Sequence, residues 1–280
     1  MTTIQIPSGC SLTPYLKAHR HSTRFVLGAG TYDCATGWAF DKEHDHVCLG
    51  ADCELIGAGS DATLISCSPG GYLPEGARQV EGFTCGRRTV PPNTSVRVTN
   101  TIRGVTFVVE GQRRATDLGL IGLHAWASQV DFDDLRIFGA RGSRKAGNEG
   151  FGILVNGVGE PGKRVGGGSR IANCRVYVDG GYVCGVYVGY DQPVAPSTVS
   201  DVTIGFGPAP ADSNAHAAIG TNGGVFWRGI RNLGGWERAV FCDTAGGAGT
   251  LISDSHLQAS RVLVEFRGCT GMTWKDIVVQ

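Results

Sequence analysis

The 280-residue chain has no surplus of either charge: 25 Lys and Arg stand against 25 Asp and Glu. A balanced chain has no overall field to draw it to nucleic acid or to an anionic membrane, so neither is expected as a partner. Met is scarce, with two residues, and long Leu-rich stretches with helical spacing are missing, which argues against a helical bundle. No run approaches the ~20 apolar residues of a membrane span. The opening MTTIQIPSGC carries neither a basic leader nor an apolar stretch, so the expectation is a product made in the cytoplasm without a signal peptide. Among the ten Cys no CxxC pair occurs, and several fall at apolar positions of the pattern described below. Buried, reduced thiols are therefore expected rather than a disulfide framework.

Gly is what the chain has in excess, with 44 residues, about twice the usual share. A short phrase also recurs, as VDFDDLRIFG, SRIANCRVYVDGG and TLISDSHLQ. Aligned, its copies place Gly104, Asp134, Asn173, Asp201, Gly229, Asp254 and Asp276 in one column, spaced 22 to 39 residues apart. Gly, Asn and Asp are the residues that tolerate left-handed backbone, so the column predicts a sharp bend between short strands. One and three residues after it stand Val105 and Phe107, Leu135 and Ile137, and Cys174 and Val176. A period of two puts those pairs on one inward face. Further short strands precede each bend, at LIGLH, GILVN, GVYVG, AIGTN, AVFCD and VLVEF.

Repeats of this length, with several strands each and variable loops, predict the stacked coils of a parallel β-helix; a propeller needs longer blades and hairpin signals. The expected organisation is one all-β solenoid over 1–280: a cap and first coil at 1–35, early coils with long loops at 36–100, and regular coils at 101–280. Ser11 is a plausible cap for a short helix that covers the first coil.

The segment SLTPYLKAHRHSTRFVLGAGTYDC and the run Ile56, Gly57, Gly59, Thr63, Ile65 resemble the first two coils of the pectate-lyase-like superfamily of right-handed β-helices. That superfamily holds pectate lyases, polygalacturonases, epimerases and phage tailspikes, so the resemblance implies a fold more than a function. A lyase of this kind would use an Arg or Lys base, often with Ca²⁺ held by acids on adjacent coils. A hydrolase would use two or three Asp. Neither the Asn-Thr-Asp and Gly-His-Gly signatures nor an Arg-x-Pro-x-x-Arg run is present, so no cofactor is expected and Ca²⁺ has no support beyond the resemblance.

Alternation in the strands before each bend predicts one outward column of His124, Asn156, Gly189, Asn222, Asp243 and Glu265. Asp243 and Glu265, with His124, are its candidate catalytic groups, since paired carboxylates do proton transfer at sugars. Asn156, Tyr187, Tyr190, Asp191 and Asn222 are candidate substrate contacts, because aromatic rings stack on sugar faces. Two residues after the bend, Thr106, Arg136, Arg175, Thr203, Arg231, His256 and Val278 form a second outward column. Its Arg136, Arg175 and Arg231 suit an acidic glycan or simply keep the face soluble. The close pairs His19/His21 and His44/His46 supply two ligands each, too few for a metal. RVGGGSR lacks the GK[ST] continuation of a phosphate loop. The functional expectation is a tailspike or tail-fibre-like virion protein that binds a bacterial surface glycan, as a homotrimer or with other virion proteins. The alternative is a soluble lyase, hydrolase or epimerase acting on carbohydrate. The expected location is the virion if the chain is phage-derived and otherwise the cytoplasm.

Overall fold

At all seven positions of the bend column the backbone is left-handed. In a computed structural model φ is 65° at Gly104 and Gly229, 49° at Asp134, 55° at Asn173 and Asp201, 50° at Asp254 and 52° at Asp276. The structure describes residues 1–36, 48–69, 78–87, 97–109, 118–159, 163–208, 210, 214–243, 249–267 and 271–280, with the backbone alone at 36, 69 and 243. His44 and His46 lie outside these residues.

Each bend joins two parallel sheets, and a third sheet completes the coil. The first sheet stacks Thr2–Ile6, Thr23–Leu27 and Glu54–Ile56 on the leading halves of Thr99–Val109 and Gln129–Arg141. It continues through Arg170–Ala172, Ser197–Ser200, Val225–Arg228 and the leading halves of Thr250–Leu257 and Met272–Val279. The second sheet begins with Gly30–Thr36 and Thr63–Pro69. It then takes the residues after each bend, including the start of Arg175–Val188, Thr203–Phe206 and Arg231–Asn232. The third holds Gln79–Gly86, Gly119–Trp126, Gly150–Val155, the end of Arg175–Val188, Asn214–Thr221, Gly235–Asp243 and Val262–Arg267. This is a parallel β-helix with three strands per coil.

The predicted inward positions form its core. Ile102, Val105, Phe107, Phe132, Leu135, Ile137, Ile171, Cys174 and Val176 are all buried, as are Trp227 and Trp236. At the first coil the helix runs Thr13–Ala18 and not from Ser11. Leu12 holds the N-cap position without a side-chain cap bond, and Ser11 bridges to Asp33. Pro14 suits the first helical turn, where its missing N–H costs nothing. Leu12 and Leu16 are buried in the solenoid core, so apolar contact rather than a hydroxyl cap anchors the helix.

In the third sheet strict alternation fails at one step. Gly122, Gly152 and Gly185 would each drive a Cβ against Ile137, Val176 or Ile204 of the second sheet, so these glycines face inward. The following Leu123, Ile153 and Val186 also join the core, whereas Ile121 and Phe151 belong to a separate cluster with Leu154, Cys184, Ala217 and Phe241. The small residue lets the second-sheet side chains close the corner.

Eight described cysteines are free and seven of those are buried, which fits the thiol expectation. Cys242 departs from it, being disulfide-bonded.

The bend makes a direct prediction. Asn173→Gly and Asn173→Val both delete the Nδ2 hydrogen bond to Asp133 Oδ1 (2.7 Å), but only Val pays the left-handed strain of a side chain with a branched Cβ. In chemical denaturation the Val variant is expected to be less stable than the Gly variant by about 1–2 kcal/mol. Equal stabilities would contradict the role assigned to this column.

Candidate functional site

The second outward column falls into register as the alternation predicts. Thr106 is paired with Arg136, Arg136 with Arg175, Arg175 with Thr203, Thr203 with Arg231, and Arg231 with His256. Beside it lies an open cavity of about 300 Å³. One wall is made by the bend residues Asp134, Asn173 and Asp201, and the other by Arg136, Arg175 and Thr203, with Ser60 and Asp61 at one end. The left-handed bend creates both walls: it turns the Asp and Asn side chains outward at the corner, and two residues later the pleat points the next long side chain the same way.

Several of these groups are already engaged. Asp134 accepts hydrogen bonds from Ser60 N (3.0 Å) and Ser60 Oγ (2.5 Å). Arg136 pairs with Asp61 at 2.5 Å, yet its Nε is buried with no hydrogen-bond partner. Asp61 is 81% exposed, so that pair contributes no more than about 1 kcal/mol. Among the described residues the Arg175 and Arg231 guanidinium groups and the Asp201 carboxylate have neither an ion pair nor a hydrogen bond, and all three residues are exposed. On the same face, two residues beyond the arginines, Phe138 and Tyr177 stack with centroids 4.8 Å apart and ring planes 16° apart. These two aromatics were missed in the sequence, although the period of two that places Arg136 and Arg175 outward places them outward too.

The first outward column does not hold together. Asn156, Gly189, Asn222 and Asp243 each follow a residue of the paired set Val155, Val188, Thr221 and Cys242. His124, however, is level with Leu154, and Glu265 with Phe241. Asp243 is level with Arg267 and not with Glu265. The break in alternation explains the error: outward Ile121 is as apolar as an inward residue, so counting from it starts two residues early. His124 and Glu265 are also five rungs apart, about 24 Å at ~4.8 Å per rung. One reacting bond cannot be served by both.

The remaining candidates are largely occupied by the fold. Tyr190 is 2% exposed, shares a 2.5 Å hydrogen bond with Ser169, and is pushed up to about 12 by burial. Asp191 accepts from the Arg164 backbone N–H at 2.9 Å. Tyr187 lies over Gly189 and Gly220, where a Cβ would collide with its ring, and donates to Asn222. His124 is buried against Trp126, with its Nδ1 2.7 Å from Glu81 and its Nε2 3.1 Å from Asn156.

A cluster that no local motif announces lies further along the third sheet, where parallel stacking brings distant segments together. His216 is 4% exposed, and its ring meets Tyr182 edge-on at 4.4 Å. Its Nδ1 lies 3.2 Å from Arg238 Nη1 and its Nε2 3.7 Å from Glu149. A guanidinium only donates, so Nδ1 accepts and the imidazole is neutral with its proton on Nε2. Burial, then the Arg238 charge, lowers its pKa from 6.5 to about 4. Arg238 also bonds Glu265, holding that carboxyl below its ordinary value, with Arg267 adding to the effect.

These shifts have one sign. Between about pH 6.5 and pH 4 the unfolded chain takes up a proton at this histidine that the folded chain refuses, so stability falls as the pH is lowered through that window. Below it the depressed Glu265 acts in the same direction. The thermal midpoint is expected to fall from pH 7 to pH 4, and less steeply in His216→Gln; parallel pH profiles would contradict the assignment.

No group of three or more His, Cys, Asp and Glu is placed to hold a metal ion among the described residues. Of the acids before the bends, Asp131 is paired with Arg103 and Arg170, and Asp133 with Arg170 and Asn173. Among the described residues, then, no set of acids is placed to hold the Ca²⁺ that the superfamily resemblance would allow. No described helix is long and apolar enough to cross a membrane.

No protein-family model matches the chain, and no curated protein matches it. Among solved structures it is similar to a chain described as Geobacillus virus E2 ORF18, with 12% sequence identity and a TM-score of 0.41. The match covers 95% of this chain and 57% of that one.

Proposed function

We propose that the chain is a glycan-binding solenoid, part of a tailspike or tail-fibre-like virion protein, and that it holds a bacterial surface polysaccharide along the groove of its second sheet. What supports this reading is the unspent chemistry there. Arg175 and Arg231 are exposed guanidinium groups without partners among the described residues, and the stacked Phe138 and Tyr177 lie on the same face two residues beyond Arg136 and Arg175. Planar donors beside aromatic rings suit polyols and their acidic substituents. A repeating rod also presents a repeating polymer with the same groups at each rung. Asn156, Tyr187, Tyr190, Asp191 and Asn222 are given no part in this binding, because their polar groups are engaged within the fold.

The alternative is a carbohydrate-active enzyme whose acids are Asp243 and Glu265. It is less favoured because the two are not level on adjacent rungs and Glu265 is held by Arg238 and Arg267. If it were right, Asp243→Asn or Glu265→Gln would abolish turnover of the bound glycan.

On an array of bacterial surface polysaccharides the chain is expected to bind at least one glycan. Combining Arg175→Ala with Arg231→Ala should weaken that binding by about tenfold or more without moving the thermal midpoint. Absence of binding, or binding indifferent to both substitutions, would contradict the proposal. Light scattering at micromolar concentration is expected to give the mass of three chains, and a monomer would remove the trimeric virion setting.

A further inference from the structure

The groove is walled by charges of opposite sign. The bend wall supplies Asp134, Asn173 and Asp201, and the strand wall supplies Arg136, Arg175 and Thr203, with Arg231 on the next rung. Asp134 and Asn173 are held by Ser60 and Asp133, and Arg136 is paired with Asp61. What remains open is one carboxylate, Asp201, and two guanidinium groups, Arg175 and Arg231. Asp201 forms no ion pair with either arginine or with any other described residue. Asp201 and Arg175 thus line one groove without neutralising each other, and Arg231 follows on the rung beyond Thr203.

Such a groove discriminates by sign on each side. A ligand that is only anionic meets Asp201, and one that is only cationic meets Arg175 and Arg231; each mismatch leaves a like-charge contact. We propose that the groove takes a zwitterionic glycan: a sugar with a free ammonium group toward Asp201 and a carboxylate toward Arg175 and Arg231. This rests on the glycan reading above and narrows it. The carboxylate would accept forked hydrogen bonds from a guanidinium, and the ammonium would donate to Asp201. Thr203, paired in register with both arginines, supplies a hydroxyl for the sugar's own hydroxyls between them.

The test is a set of NMR titrations of the full chain with four monosaccharides. Muramic acid carries both charges, N-acetylmuramic acid has the amine capped, glucosamine lacks the carboxylate, and glucose lacks both. Muramic acid is expected to bind about tenfold or more tighter than any of the others. Asp201→Asn, which keeps a residue that tolerates the bend, should bring muramic acid down to the level of its N-acetyl form. Arg175→Ala should bring it down to the level of glucosamine. N-acetylmuramic acid binding as tightly as muramic acid, or Asp201→Asn without effect, would overturn the zwitterion proposal. If none of the four sugars binds while the arginine substitutions still weaken polysaccharide binding on the array, this proposal falls and the glycan reading survives. If the array too shows no binding, both fall.

Discussion

The left-handed bend is the constraint from which the rest follows. From Gly104 onward a single residue with φ near 50–65° at each coil turns the chain from the first sheet to the second, and because those coils turn at the same rung position, the strands on both sides stay in register. Register in a sheet decides which face a side chain occupies, since a slip of one residue inverts the whole strand. Here it decides that Val105, Leu135 and Cys174 are buried and that Arg136, Arg175 and Arg231 are not. The cost of left-handed backbone is small for Gly and modest for Asn and Asp, and the core formed by the adjoining apolar positions offsets it many times over.

The same geometry separates the two outward faces by how much chemistry each retains. On the third sheet the polar side chains are mostly paired with one another: His124 with Glu81 and Asn156, Tyr187 with Asn222, Arg238 with His216 and Glu265. Burial makes such pairing obligatory, because an unpaired polar group there would cost about 1–3 kcal/mol. On the second sheet Arg175, Arg231 and the bend residue Asp201 reach solvent, where no such demand applies. Arg175, Arg231 and Asp201 therefore stay free to meet a ligand, and the candidate site moves from the face with more titratable residues to the face with fewer.

The bends and the core of the second half were legible because Gly, Asn or Asp in one column and apolar residues at fixed offsets report a local backbone preference and a period of two. The arginine column was legible for the same reason, being tied to the bend by two residues. The third sheet was not, because at Gly122, Gly152 and Gly185 two successive residues face inward, and a pattern that assumes alternation puts Ile121 on the wrong side. Ser11 looked like a helix cap, but Leu12 and Leu16 anchor the helix by burial. The cluster of Glu149, His216, Arg238 and Glu265 carries no sequence signal, since its members come from separate coils and meet only once the coils stack. The Cys242 disulfide was likewise invisible, because spacing does not report which thiols are brought together.

Whether the second-sheet column runs straight along the solenoid can be measured directly. Arg175 and Val278 are both exposed, and the register runs from one to the other through Thr203, Arg231 and His256. Spin labels at these two positions are therefore separated by four rungs, about 19 Å at ~4.8 Å per rung. Double electron–electron resonance on the doubly labelled chain should give a narrow distribution centred near that distance. A broad distribution, or a mean beyond about 30 Å, would mean that the coils do not stack in this register, and the groove with its walls of opposite charge would not exist.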